Sequence, residues 1–79
     1  MITMSAYMDD PTFSQWAKVN DIIWPHIKDT REWRERGFGG ISHLTQELFG
    51  FRVERNSKSY VEYIFDREED YVWFKLKWF

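Results

Sequence analysis

The hydrophobic pattern of the chain changes its period at Gly50. Before this point, apolar residues recur every three or four positions, which is typical of helices with one buried face. From residue 51 to residue 79, apolar and polar residues alternate in three runs, which is typical of strands. We therefore predict one α+β domain, in which two or three N-terminal helices pack on one face of a C-terminal three-stranded antiparallel β-meander. Residues 1–9 show neither period and are expected to form a partly ordered arm.

Proline, glycine and capping residues divide residues 10–50 into helices. Pro25 lacks a backbone N–H group, so the first helix is expected to end or kink there. A second helix is expected to begin near Thr30 and to stop at Gly37. Ser42 is the predicted N-cap of a third helix, which closes at Gly50.

Turn residues separate the alternating runs and set their register. A three-residue loop at positions 56–58 places Val53 opposite Val61 on the neighbouring strand. A four-residue loop at positions 67–70 places Phe65 opposite Val72. This register gathers large apolar side chains on one face of the meander. It also predicts a charged row across the three strands, formed by Arg52, Glu62 and Lys75.

The length and the composition limit the number of domains and the kinds of chemical site that the chain can form. A chain of 79 residues makes one small domain, and the absence of cysteine removes disulfides and thiolate metal sites. Aromatic residues make up 20% of the chain, so some of them are expected to reach the surface. The two histidines fall on different predicted helices, and neither shares a helix face with a nucleophile. We therefore expect a protein that is not an enzyme and that uses no cofactor and no metal.

The outer face of the predicted meander carries aromatic and basic residues of the types that concentrate in protein interfaces. We interpret the chain as a small protein-binding module, an adaptor or an inhibitor, which docks on a macromolecular partner through this face. The expected partner-binding residues are Trp73, Tyr71, Tyr60, Ile64, Arg52, Lys75 and Lys77. In size and composition, the chain resembles small phage-encoded inhibitors of host proteins, which implies a protein partner.

Nucleic-acid recognition is the alternative hypothesis. Three helices followed by a hairpin resemble a winged helix over residues 12–66, with helix 42–49 as the recognition helix and hairpin 55–58 as the wing. This resemblance implies nucleic-acid-binding roles for Arg31, Arg34, Arg36, His43, Gln46, Arg55 and Lys58. Helix 42–49 has no arginine or lysine and contains Glu47, which departs from the pattern of a DNA-reading helix.

Charge and hydropathy restrict the location and the partners of the protein. The net charge is −2 with acids and bases interspersed, which argues against a strongly basic, nonspecific binder of nucleic acids. No apolar run approaches the roughly 20 residues of a membrane span, and the first residues lack the pattern of a signal peptide. We expect a cytoplasmic protein without membrane association, either a monomer or a homodimer.

Overall fold

Short extended and helical segments form a three-stranded antiparallel sheet and four α-helices in the computed structural model, which describes residues 1–79. The strands are β1 (Ile2–Ser5), β2 (Arg52–Arg55) and β3 (Val61–Phe65). The α-helices are α1 (Phe13–Ile27), α2 (Arg31–Arg36), α3 (Ser42–Phe49) and α4 (Glu68–Trp78), and a 3₁₀ helix (Gly37–Gly40) joins α2 to α3. The predicted α+β class is confirmed. The helices precede the strands only in part, because β1 lies before α1 and α4 lies after β3.

Local capping residues set the bounds of α2. Thr30 has an extended backbone, and its Oγ1 accepts a hydrogen bond from the Trp33 N–H at 3.3 Å. Gly37 follows the last residue of α2 with a φ of +58°, a conformation that favours glycine because it has no Cβ. The predicted start near Thr30 and the predicted stop at Gly37 are both confirmed.

The first helix does not end at Pro25, one of the two outcomes predicted from the sequence, but continues to Ile27. Helical hydrogen bonding resumes directly after the proline, since the Lys28 N–H donates to the Trp24 carbonyl at 3.0 Å. Ile23 and Ile27 are both buried, so the apolar stripe of α1 runs past the proline. Packing of Ile27 therefore offsets the one hydrogen bond that Pro25 removes.

The start of α3 differs from the prediction by one residue. Ile41 occupies the N-cap position, and Ser42 is the first residue of the helix. The Ser42 Oγ accepts a hydrogen bond from the Val53 N–H at 2.9 Å, which ties α3 to β2. The hydroxyl thus makes a tertiary contact in place of a helix cap. At the other end, Gly50 has a φ of +85° and closes α3 as predicted.

Residues 68–78 form α4, so the predicted third strand of the meander is wrong. The apolar residues among positions 71–78 fit both the alternation of a strand and the spacing of a helix. Tyr71, Phe74 and Trp78 share the helical spacing and pack against the core. Acidic residues fill the first turn of α4 and lysines its last turn, an order that stabilises a helix through its dipole. This charge order is the sequence signal that separates helix from strand here.

The third strand of the sheet is β1. It pairs antiparallel with β3, which places Met4 opposite Tyr63 and gives the strand order β1-β3-β2. Met4 and Ser5 are buried, so residues 2–5 are not the partly ordered arm that the sequence predicted. Four residues are too few for a period of two to be recognised in a sequence, and the burial comes from pairing with a strand far along the chain.

Strands β2 and β3 form the first predicted hairpin, but their register is shifted. Val53 lies opposite Tyr63 instead of Val61, and the three-residue loop is 57–59 instead of 56–58. A shift of two residues keeps every side chain on its predicted face, because the side chains of a strand alternate with a period of two. The predicted charged row is absent, because its third member lies on α4.

Aromatic rings fill the space between the sheet and the helices. Phe51 lies at the centre, with the ring centroids of Tyr63, Phe65, Phe49 and Phe74 at 4.9, 5.2, 6.0 and 6.0 Å from its own. Buried aliphatic residues of α1 complete this cluster. Each large ring removes about 150–250 Å² from water, which lets a short chain build a sufficient core.

Two buried polar groups join separate elements through hydrogen bonds. The Tyr63 hydroxyl donates to the Asn20 Oδ1 at 2.8 Å, which links β3 to α1. Burial raises the pKa of Tyr63 well above its ordinary value, so the side chain stays neutral. The Thr45 Oγ1 donates to the Phe51 carbonyl at 2.8 Å and thereby links α3 to the residue before β2. Both groups are satisfied, as buried polar atoms of native proteins generally are.

Candidate protein-binding surface

The last helix is apolar on two sides, and only one of them faces the core. The side opposite the core presents Val72, Trp73 and Leu76, which are 47%, 70% and 80% exposed. These residues recur at helical spacing on α4 and therefore form one stripe. We call them the α4 outer stripe. A helix that is apolar all round is normally covered all round.

A pocket between α3 and α4 adjoins the α4 outer stripe. Its volume is about 180 Å³, and five of its six lining residues are hydrophobic. The lining consists of Leu48, Phe49, Trp73, Phe74, Lys77 and Trp78. We call it the α3–α4 pocket. An apolar cavity of about 150 Å³ accepts a benzene molecule, so this pocket has room for one large apolar side chain.

Charged residues flank the α4 outer stripe, with acids at one end of the helix and lysines at the other. Glu68 and Glu69 lie in the first turn of α4, and Lys75 and Lys77 lie in the last. The Lys75 Nζ lies 5.3 Å from the centroid of the Tyr71 ring, and neither lysine forms an ion pair. Both ammonium groups are therefore available to a carboxylate outside the chain.

The structure brings together three of the seven residues that the sequence assigned to partner binding. Trp73, Lys75 and Lys77 all lie exposed on α4. Tyr71 is also on α4, but it turns inward and is half-buried, with its ring centroid 5.5 Å from that of Phe65.

The other three predicted residues lie elsewhere on the sheet. Ile64 is only 6% exposed and lies between Thr3 and Arg52 on the neighbouring strands. Arg52 is occupied by ion pairs with Asp66 and Glu54. Tyr60 lies at the far end of β3, where its ring packs on that of Tyr7 with centroids 4.5 Å apart. The predicted aromatic outer face of a meander is therefore not formed, because residues 68–78 form a helix on which Tyr71 packs inward against Phe65 while Trp73 is exposed.

Sequence reasoning missed Leu48 and Leu76 as surface residues. Neither was among the predicted partner-binding residues. In the structure, Leu48 is 51% exposed, and Thr45 and Phe49 occupy the buried side of α3. The signal for Leu76 was that residues 71–78 include six apolar side chains, more than one buried helix face requires.

The residues of the nucleic-acid hypothesis are exposed, but several already have partners. Arg31 pairs with Glu35 at 2.9 Å, and His43 lies 3.8 Å from Glu47. An Arg34 N–H donates to the Asp29 carbonyl at 2.8 Å. The remaining four, namely Arg36, Gln46, Arg55 and Lys58, are exposed and lie in no ion pair.

No family model matches the chain, and no curated protein or solved structure does so either. The structure contains no group of three or more histidine, aspartate or glutamate side chains placed to hold a metal ion. None of its helices has both the length and the apolar character needed to cross a bilayer.

Proposed function

We propose that this chain is a non-enzymatic protein-binding module that docks on a partner protein through the α4 outer stripe and the α3–α4 pocket. The observation that carries the proposal is the exposure of Val72, Trp73 and Leu76 on the side of α4 that faces away from the core. Contiguous apolar surface with a polar rim marks interaction sites on small proteins, and tryptophan is among the residue types that dominate binding energy there.

The chemistry of this surface favours one kind of partner. A pocket of about 180 Å³ beside an apolar stripe suits an amphipathic helix that inserts one large side chain and lays its apolar face along α4. Lys75 and Lys77 flank the stripe without carboxylate partners. The partner is therefore an apolar helix face bordered by aspartate or glutamate. A module of this kind acts as an adaptor, or as an inhibitor when the helix it covers has another use.

The Trp73 indole group reports directly on this proposal. The five tryptophans give five indole N–H signals in a ¹H–¹⁵N spectrum, and the Trp73→Phe variant assigns one of them. The probe is a synthetic helical peptide with leucines at every third and fourth position and glutamates beside them. We expect the Trp73 and Trp78 signals to shift on titration, because both residues line the α3–α4 pocket. The Trp33 signal, from α2, should not move.

Two controls make the result specific. The same leucine pattern flanked by lysines should bind at least about threefold more weakly, because it repels Lys75 and Lys77. The Leu76→Glu variant should lose most of the response while it keeps its helical circular dichroism, since Leu76 is 80% exposed. Equal binding of the two peptides, or equal shifts at Trp33 and Trp73, would reject the proposed surface.

Binding to a nucleic-acid backbone is the second candidate function. Its supporting observation is that Arg36, Arg55 and Lys58 are exposed and lie in no ion pair, while the 3₁₀ helix that follows Arg36 contacts β2. If these residues contact phosphates, the chain should retard a duplex DNA at low salt, and the affinity should fall steeply as salt rises. Replacing Arg55 and Lys58 with glutamate should then abolish the shift. A duplex that migrates unchanged at low salt removes this candidate.

A further inference from the structure

We propose that the α4 outer stripe binds a second copy of this chain, with two α4 helices packed antiparallel around a two-fold axis. This inference rests on the proposed function, because it names the partner of the same surface. The α4 helix itself carries acids in its first turn, ahead of its exposed apolar residues, so it offers the acid-flanked apolar face that this surface favours. A self-complementary patch of this kind is what an isologous interface requires.

The charges on both sides of the stripe follow one order. Glu68 and Lys75 are seven residues apart, so they lie on the same side of α4, near its opposite ends. Asp70 and Lys77 are also seven residues apart and lie on the other side, but Asp70 is already paired with Arg67 at 3.2 Å. The border with Glu68 and Lys75 therefore has an unpaired acid toward the helix N-terminus and an unpaired lysine toward the C-terminus.

Antiparallel packing turns this order into charge complementarity. A two-fold axis perpendicular to the helices brings the same border of each α4 together, in opposite directions. Glu68 of one copy then faces Lys75 of the other, and the relationship repeats by symmetry. A parallel arrangement would instead place lysine beside lysine and glutamate beside glutamate. The charges of α4 thus select both a second copy and its direction.

The same axis brings the apolar residues into register. The midpoint between Glu68 and Lys75 falls between Tyr71 and Val72, so the axis passes close to Val72 and to its neighbour Trp73. The two exposed indole rings meet at the centre of the interface, where tryptophan contributes most to binding. Leu76 lies toward one end of the stripe, and Leu48 extends the apolar area along α3.

The small size of the surface sets the expected strength of this dimer. A helix of 11 residues is about 16 Å long, which gives an interface at the low end of the range for specific complexes. We therefore expect a reversible dimer with a dissociation constant on the order of micromolar. Sedimentation equilibrium should show the mass rising from 9.8 kDa toward twice that value as concentration increases.

Charge reversal tests the direction of packing. In a dimer of the Glu68→Lys variant, the new lysine faces Lys75 of the other copy. In a dimer of the Lys75→Glu variant, the new glutamate faces Glu68 of the other copy. Each should dimerise about threefold to tenfold more weakly than the natural chain. An equimolar mixture of the two restores both attractive pairs, so its association should recover. The Lys58→Glu variant, changed at the tip of the β2–β3 hairpin, controls for net charge and should dimerise as the natural chain does.

The outcomes separate this inference from the proposed function. A mass of 9.8 kDa at every concentration overturns the inference, while a Trp73 shift with the acidic leucine peptide would still support the protein-binding surface. Dimerisation that resists Leu76→Glu, or a mixture that fails to recover, shows that the chain associates through another face. Circular dichroism of every variant verifies that α4 remains folded.

Discussion

Replacing Phe51 with alanine is expected to remove a large part of the free energy of unfolding of the domain. Phe51 is 1% exposed and contacts rings from α3, β3 and α4, so no single neighbour can close the space it leaves. Truncation of a buried phenylalanine costs about 3–5 kcal/mol, and a small domain has a total stability of roughly 5–15 kcal/mol. The loss therefore removes much of the available free energy of unfolding.

Urea denaturation followed by far-ultraviolet circular dichroism measures this effect. The matched control is Leu76→Ala, because Leu76 is 80% exposed and its truncation should change the free energy of unfolding by less than about 0.5 kcal/mol. A Phe51→Ala variant as stable as the natural chain would show that the aromatic cluster is not the core of the fold.

Replacing Met4 with alanine has the second large expected effect. Met4 is 1% exposed on β1 and belongs to the hydrophobic core, so its truncation should cost about 2–5 kcal/mol. Met8 offers a control with the same chemistry, since it lies outside β1 and is 77% exposed. Met8→Ala should change the free energy of unfolding by less than about 0.5 kcal/mol.

This pair of methionine variants tests the position of β1 directly. If residues 2–5 were a partly ordered arm, both substitutions would be neutral. Thermal unfolding followed by circular dichroism should give a clearly lower midpoint for Met4→Ala than for Met8→Ala. Equal midpoints would contradict the β1–β3 pairing.

Local signals predicted the helical part of the fold because the residues that carry them act within one turn. Thr30 caps α2 and Gly37 ends it through contacts a few residues away. The predicted end of α1 at Pro25 was wrong for the opposite reason. The burial of Ile27 depends on the tertiary core, and no local rule at the proline contains that information.

In the C-terminal third of the chain, hydrophobic periodicity alone did not predict the secondary structure correctly. Residues 71–78 contain apolar side chains on both faces of a strand and on all sides of a helix, so the pattern did not distinguish the two. The charges of α4 did distinguish them, because acids at its start and lysines at its end stabilise a helix and have no such order in a strand. The strand that completes the sheet was missed because β1 has only four residues.

For the candidate site, the sequence predicted several of the residues correctly but not the secondary structure that carries them. Trp73, Lys75 and Lys77 are exposed together, but on a helix rather than on a sheet. Leu48 joins them through the packing of α3 against α4, a tertiary relationship that no spacing along the chain encodes. The hydroxyl of Ser42 illustrates the same point, since its partner lies 11 residues further on.

The hydrogen bond of Ser42 to Val53 also affects how readily the sheet can pair with strands of other molecules. Strand β2 is the last strand on its side of the sheet, and an exposed edge recruits strands from other molecules. The Ser42 hydroxyl occupies the Val53 N–H, so α3 blocks the middle of this edge against intermolecular pairing. Detachment of α3 would free this edge, and it would also open the core, because Phe49 of α3 packs there. Pairing of β2 with a strand of another molecule should therefore require α3 to detach first.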